Sequence, residues 1–441
     1  MSNKVFLQEV MKIAIPVALQ SMLQSSFSMI DQIMVGRLGE DSVAAVEIAG
    51  RPGFVYSFVL GAVATVAAIM ISQYIGKGDK EAWERSICVN ALTVFFLAGA
   101  FWFLAEGFSE RFMRLFSLDE RVVSLGEDYL RRIGFTFLPL GLCQIAGTAL
   151  RCRGKSSWPL YVGALSAVIN TVLNYGLIFG HLGLPALGVK GAALASVISQ
   201  VAAAGLSLAL FFKLYGRITF SVSIGREGFC QYMGMLGPVV ANEFLWSVGQ
   251  SVNTWVYGHM GKEELAGMAI TGSVQGLTIG ALSGISQAAG ILIGKRLGEG
   301  NFDRAYEESK KLCLYGFFGT LPLSALLIFL RFRYVSFFLV SPEASHMGAQ
   351  ILLAFAVLLP IKVQNMILGG GIVRSGGKTK YIMAIDMMGT WLLDVPLAFL
   401  AGIVLHLPLV WVYFILSQEE LARLLVTGYI FRSRKWMVTI R

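Results

Sequence analysis

Apolar stretches long enough to cross a bilayer recur along this chain, separated by short polar segments rich in Gly and charge. They lie near residues 13–36, 46–75, 87–106, 129–150, 159–180, 188–212, 236–258, 268–294, 312–330, 350–373, 381–403 and 407–430. A helix needs about 20 apolar residues to span the hydrocarbon core, so the pattern predicts twelve transmembrane helices, six in each half. Membrane-spanning β-strands are shorter, about 10 residues, and alternate strictly. Runs such as LGAVATVAAIMI do not alternate. The expected fold is an all-α integral membrane protein.

The two halves resemble each other. PVALQSMLQSSFSMIDQIMVGRLG from Pro16 returns 222 positions later as PVVANEFLWSVGQSVNTWVYGHMG from Pro238, without a gap. The register holds through Gly36/Gly258, Gly39/Gly261 and Gly50/Gly272 to Gly76/Gly298 and Gly78/Gly300. A second anchor follows the fourth span of each half, where Arg151, Gly154 and Lys155 match Arg374, Gly377 and Lys378. The polar stretch between the copies reads as a linker. The predicted organisation is therefore an N-terminal six-helix lobe (1–212), a cytoplasmic linker (213–234) and a C-terminal six-helix lobe (235–441), related by an internal pseudo-two-fold repeat. Repeats of this kind belong to transporters that place their substrate where the halves meet. Because the helix after Pro16 has a counterpart inside the chain, it is expected to belong to the mature fold and not to a cleaved leader.

Composition agrees. Apolar residues make up 56% of the chain and charged residues 14%, against roughly 45 to 50% and 25% in soluble domains. Of the 36 Lys and Arg residues, 24 fall on alternate loops beginning with the N-terminus, a count that includes Arg423. By the positive-inside rule both termini are expected in the cytoplasm of a multi-pass plasma-membrane protein. The net charge of +9 is spread over seven loops, which argues against nucleic-acid binding. Five scattered cysteines and four histidines offer neither a disulfide framework nor metal-ligand spacing. GGIVRSGGKT has Ile372 where a phosphate-binding loop needs Gly and follows no strand. No cofactor is expected.

Ionisable groups inside membrane spans are costly and usually functional. On the first span Gln20, Gln24, Ser28 and Asp31 share one helical stripe, expected to face the interior of the N-terminal lobe. The fifth span carries Asn170 and Asn174 one turn apart, and the sixth carries Ser196. Such amide and hydroxyl groups can coordinate a cation beside a carboxylate without adding charge. In the second half Glu243, Ser247, Gln250 and Thr254 form another stripe beside Trp246 and Asn253, and Asp386 and Asp394 sit in the eleventh span. Lys362 is a candidate partner for one of these aspartates. Asp31, Asn170, Asn174 and Ser196 are the candidate proton or Na+ site. Gln20, Gln24, Glu243, Trp246, Gln250, Asn253 and Asp386 are candidates for substrate or a second-lobe cation, with Asp394 and Lys362 read as structural.

The first helix with AVEIA and ISQYIGKGD, the loop LRCRGKSSWP, the pair NTVLN with LIFG, and GVKGAALAS together resemble the multidrug and toxic compound extrusion (MATE) family, from about Ile13 to the closing RSRKW. The resemblance implies a twelve-helix antiporter, not an enzyme, that exports small organic cations in exchange for H+ or Na+. It places Asp31, Asn170 and Ser196 at positions implicated in the N-lobe cation or proton site. Asn174 stands where many relatives carry Asp, and Lys378 where relatives often carry an acid. Glu243 resembles the seventh-helix acid of one branch.

A buried carboxylate that binds a proton, Na+ or an organic cation in turn is enough to couple their fluxes by alternating access, with Pro16 and Pro238 letting two helices bend. An aromatic content of 12% suits lipophilic cations. A monomer is expected, its partners being lipid and small organic cations. The rival reading is a flippase of lipid-linked oligosaccharide precursors, which calls for a basic cavity, whereas the charges within these spans are predominantly acidic.

Overall fold

The computed structural model describes residues 3–216, 225–338 and 340–440, and every regular element among them is a helix. We number the long helices α1 (Asn3–Gly36), α2 (Glu40–Lys77), α3 (Lys80–Gly107), α4 (Glu120–Cys152), α5 (Ser157–Phe179), α6 (Val189–Tyr215), α7 (Arg226–Met260), α8 (Lys262–Gly298), α9 (Phe302–Val335), α10 (Pro342–Val373) and α11 (Thr379–Val404). The last, α12, comes in two pieces, Leu409–Leu416 and Glu419–Ser433. Ten of the twelve are long and apolar enough to cross a membrane. Gln, Asn and Gly dilute α7, and the break at Ser417 and Gln418 shortens α12, so these two fall short by that measure. Of the predicted linker, 217–224 lie outside the described residues, while α6 runs on to Tyr215 and α7 begins at Arg226.

Repeat positions share backbone geometry. Gly78 and Gly300 close α2 and α8 with φ of +73° and +72°, and Gly154 and Gly377 follow α4 and α10 with φ of +75° and +74°. A side chain at any of these left-handed positions would be strained, so the matched glycines end matched helices.

Two compact units divide the chain. Unit 2 comprises Leu19–Ile71 and Asp79–Ile224. Its core includes fully buried Tyr56, whose hydroxyl donates to the Phe137 carbonyl at 2.6 Å and whose ring meets Phe101 and Phe137. Unit 1 comprises Met1–Ala18, Ser72–Gly78 and Gly225–Arg441. The starts of α1 and the end of α2 are thus members of unit 1, and the division in α1 falls two residues after Pro16.

Unit 1 is tied by its C-terminal segment. Trp436 is fully buried and donates from Nε1 to the Phe431 carbonyl. Gln73 donates to the carbonyls of Ser375 and Val438 at 2.7 and 3.2 Å and accepts from the Ile440 amide at 2.7 Å. Large apolar side chains such as Phe329, Leu425 and Tyr429 stand exposed on the helices, as residues bathed in lipid acyl chains can.

Candidate functional site

In unit 2 three helices bring Asp31 of α1, Asn170 and Asn174 of α5, and Ser196 of α6 together. Spacing of four residues puts both asparagines on one face of α5. Asn174 Nδ2 donates to Asp31 Oδ1 at 2.7 Å and to Asn170 Oδ1 at 3.1 Å, and Asn170 Nδ2 donates to Ser196 Oγ at 3.3 Å. Turned over, the Asn170 amide would instead set its nitrogen 2.8 and 3.1 Å from the two Asp31 oxygens and accept from Ser196; amide orientation follows from the network around it. Ser166 adds a second tie between α5 and α6, donating to the Ser199 carbonyl at 3.1 Å. Val35, Ile178 and Ala192 pack one turn away and fix the three helices.

Asn174 is only 2% exposed, and its Oδ1 has no hydrogen-bond partner among the described residues. No Lys, Arg or His lies within ion-pair distance of Asp31 among them either. The arrangement is one half-buried carboxylate surrounded by neutral oxygen-bearing groups, which leaves room for one positive charge.

The rest of the first-helix stripe departs from expectation. Gln20 is half-buried and lies beside Gly163, where a Cβ would sit 3.8 Å from its Cγ. Gln24 and Ser28 are exposed and do not face the interior of unit 2. Between Val17 and Val35 no residue of α1 is buried, so this stretch touches its unit along a narrow line that admits Asp31 and Gln20 but not the whole stripe.

Unit 1 holds a denser polar network, built on the packing of α7 against α11. Asn242 Nδ2 donates to Asp386 Oδ2 at 2.7 Å, Gly249 admits Thr390, and Asn253 Nδ2 donates to Asp394 Oδ2 at 2.7 Å. Asn253 stands 222 positions after Asp31, and Asn242 the same distance after Gln20. The acid and amide of the Asp31–Asn174 pair have therefore changed helices in the second copy. Widened π-type turns at Met388–Asp394 and Phe399–Val404 shape this part of α11, a feature frequent at functional sites.

Around these pairs, α12 contributes residues that the sequence reading missed. Arg423 reaches Glu419 at 2.8 Å, Thr390 Oγ1 at 2.8 Å and Asp386 at 3.7 Å. Lys362 pairs with Glu420 at 3.0 Å, and Asn365 donates to the same carboxylate at 2.7 Å. Two expectations are corrected here. Lys362 pairs with neither Asp386 nor Asp394, because Glu420 on α12 is the acid that approaches it. Arg423 is no loop residue: it is largely buried, and Gly389 makes its room, since a Cβ there would strike the guanidinium. The signal was the charged run QEELAR inside the last apolar stretch.

Of the second-lobe candidates, Asp386 is engaged by Asn242 and Arg423, and Asn253 by Asp394. Glu243 is half-buried, whereas Trp246 and Gln250 are exposed. Sequence periodicity grouped Glu243 with Gln250, but α7 buries its other face, with Val239, Asn242, Gly249, Asn253 and Val256.

Comparison with known proteins follows the same two-copy pattern. The MatE family model matches residues 16–176 and again 238–400, starting at Pro16 and at Pro238. The chain is 24% identical over 446 residues to the probable multidrug resistance protein NorM of Thermotoga maritima, covering 97% of this chain and 93% of that one. In fold it is similar to the Vibrio cholerae MATE transporter VcmN in its bent form, with a TM-score of 0.86, 16% identity and 99% of each chain covered. It is also similar to a MOP superfamily transporter from Pyrococcus furiosus, with a TM-score of 0.84, 18% identity and 97% and 96% covered.

Proposed function

This chain belongs to the MatE family, as a multi-pass membrane transporter of the twelve-helix, two-lobe fold and not an enzyme, and we propose that its efflux is an exchange of small organic cations for H+ or Na+. The observation that carries this reading is the Asp31 site. Its carboxylate is held by Asn174 at 2.7 Å with no countercharge among the described residues, so one positive charge is needed to balance it, and a proton, Na+ or an organic cation can supply that charge in turn.

Each bound form has a use for the neighbours. Asn174 and Asn170 carry carbonyl oxygens that can turn toward a cation, and Ser196 adds a hydroxyl. When the cation leaves, the Asn174 amide N–H satisfies the carboxylate again. Coupling follows if the carrier reorients only with Asp31 neutralised, because the lone charge is costly to carry through the membrane. Pro16, two residues before the point where α1 passes from one unit to the other, is the place for that helix to bend. Cytoplasmic termini, a plasma-membrane location and a monomeric carrier complete the proposal.

The test is efflux of a fluorescent lipophilic cation from proteoliposomes under proton or sodium gradients imposed separately, for wild type and Asp31→Asn. Transport that follows one gradient and is lost in the variant supports the reading and names the ion. Unchanged, gradient-dependent efflux in Asp31→Asn overturns the site. Transport driven by neither gradient would favour lipid-linked substrates instead.

A further inference from the structure

The Asp394–Asn253 pair of unit 1 has no part in the mechanism just given, and four observations bear on it. Asp394 is 3% exposed, within α11, at the end of the widened turn Met388–Asp394. Its hydrogen-bond partner is Asn253, itself 5% exposed. The Oδ1 of that carboxamide is buried and without a partner among the described residues. No cationic group lies within ion-pair distance of Asp394 among them.

The charged and titratable groups around Asp394 are Tyr257 on α7, Lys362 on α10, and Tyr413, Glu419, Glu420 and Arg423 on α12, with Asp386 two turns back on α11 itself. The two cations are occupied: Lys362 by Glu420, Arg423 by Glu419 and Asp386. Four acids thus share two bases. A buried excess of negative charge is expensive, and Asp394 is the acid with no cation of its own.

We propose that Asp394 and Asn253 form a second proton-exchange site, the counterpart in unit 1 of Asp31 and Asn174 in unit 2. This rests on the exporter reading above for its role in transport, but not for its chemistry. The step is Asp394–COO⁻ + H⁺ → Asp394–COOH. In the charged form Asn253 Nδ2–H donates to the carboxylate. In the neutral form the turned carboxamide accepts the new O–H on Oδ1, the atom that otherwise has no partner. One carboxamide therefore serves both states. A proton fits better than a metal ion: hard cations ask for about six oxygen ligands, and the two bases Lys362 and Arg423 stand beside the acids here. If H⁺ is also the ion that loads Asp31, two protons accompany each cycle.

Infrared difference spectroscopy between about pH 5 and pH 9, on the full chain in lipid, reads carboxyl C=O bands without requiring transport. The expected result is a titrating band lost in Asp394→Asn, shifted in frequency in Asn253→Ala, and retained in Asp31→Asn. Proteoliposome reversal potentials should then give a proton-to-cation ratio halved in Asp394→Asn. If Asp394→Asn fails to fold, the frequency shift in Asn253→Ala and retention of a shifted band in Asp394→Glu carry the test. A wild-type spectrum that Asn253→Ala leaves unchanged, or that Asp394→Asn leaves intact, overturns the proposal even where Asp31→Asn abolishes efflux. Loss of the Asp394 band alongside efflux that follows no gradient would sink the exporter reading and leave the proton site standing.

Discussion

Unit 2 and unit 1 each join the first helix of a repeat copy to its fifth by an acid–amide pair, with Asp31 and Asn253 222 positions apart, and then surround it differently. In unit 2 a 2.7 Å contact joins Asp31 of α1 to Asn174 of α5, with neutral Asn170 and Ser196 beyond it. In unit 1 the same distance joins Asn253 of α7 to Asp394 of α11, and behind them stand two ion-paired bases and three further acids. The two copies share the helices that the pair joins and not the helix that carries the charge. What differs is how each unit tolerates that charge: unit 2 by partial exposure, unit 1 by an ionic network that has no counterpart around Asp31 among the described residues.

The strongest way to break this contrast is Arg423→Ala. Removing one partner of a buried ionic network costs about 3 to 5 kcal/mol because it strands the others, and here Glu419 and Asp386 would share no cation. A large drop in the thermal unfolding midpoint is expected, while Asp31→Asn, which removes a charge that has no countercharge among the described residues, should move it little. Equal losses in the two variants would mean that the unit 1 network is not what sustains that unit. Gly389→Ala sharpens the same point from the packing side. Its new methyl meets the Arg423 guanidinium, and forced overpacking costs about 1 to 3 kcal/mol, read as a smaller drop in the midpoint that Arg423→Lys should partly relieve.

A third variant asks whether the helix bearing the charge matters. In Asp31→Asn combined with Asn174→Asp, unit 2 takes the arrangement that unit 1 already has, with the acid on its fifth helix. The acid–amide pair and the net charge are kept, so efflux should return to within about tenfold of wild type, where Asp31→Asn alone is expected to lose it. Efflux by the double variant as low as by the single one would show that Asp31 acts from its own position on α1 and not merely as a buried charge.

Much of this was legible in the chain. The 222-residue repeat from Pro16 to Pro238 announced two similar six-helix lobes, and both family-model matches begin at those prolines. The acid at position 31 within an apolar span and the amides one turn apart on the fifth span were legible as candidates, and the fold brings them within hydrogen-bond distance of one another. The partners in unit 1 were not legible. Periodicity says which residues share a face of one helix, but not which neighbour that face meets, so Lys362 was matched to the aspartates of the adjacent helix and not to Glu420. Arg423 was counted with the loops because charge alone argued for water, whereas Gly389 on another helix supplies its room.

The first-helix stripe is where face and environment part, and Gln24 tests it with the smallest expected effect. Four polar residues on one side of α1 read as an inward face, yet Gln24 and Ser28 are exposed and only Asp31 reaches α5. If exposure decides, Gln24→Ala leaves no partner stranded and should change stability by no more than about 0.5 kcal/mol, as surface substitutions do. If the stripe were packed inward, truncation would orphan a buried donor or acceptor at about 1 to 3 kcal/mol. A midpoint shift of the larger size would therefore place Gln24 in the same polar seam as Asp31, and the line of contact along α1 would have to be drawn wider than Gln20 and Asp31 alone.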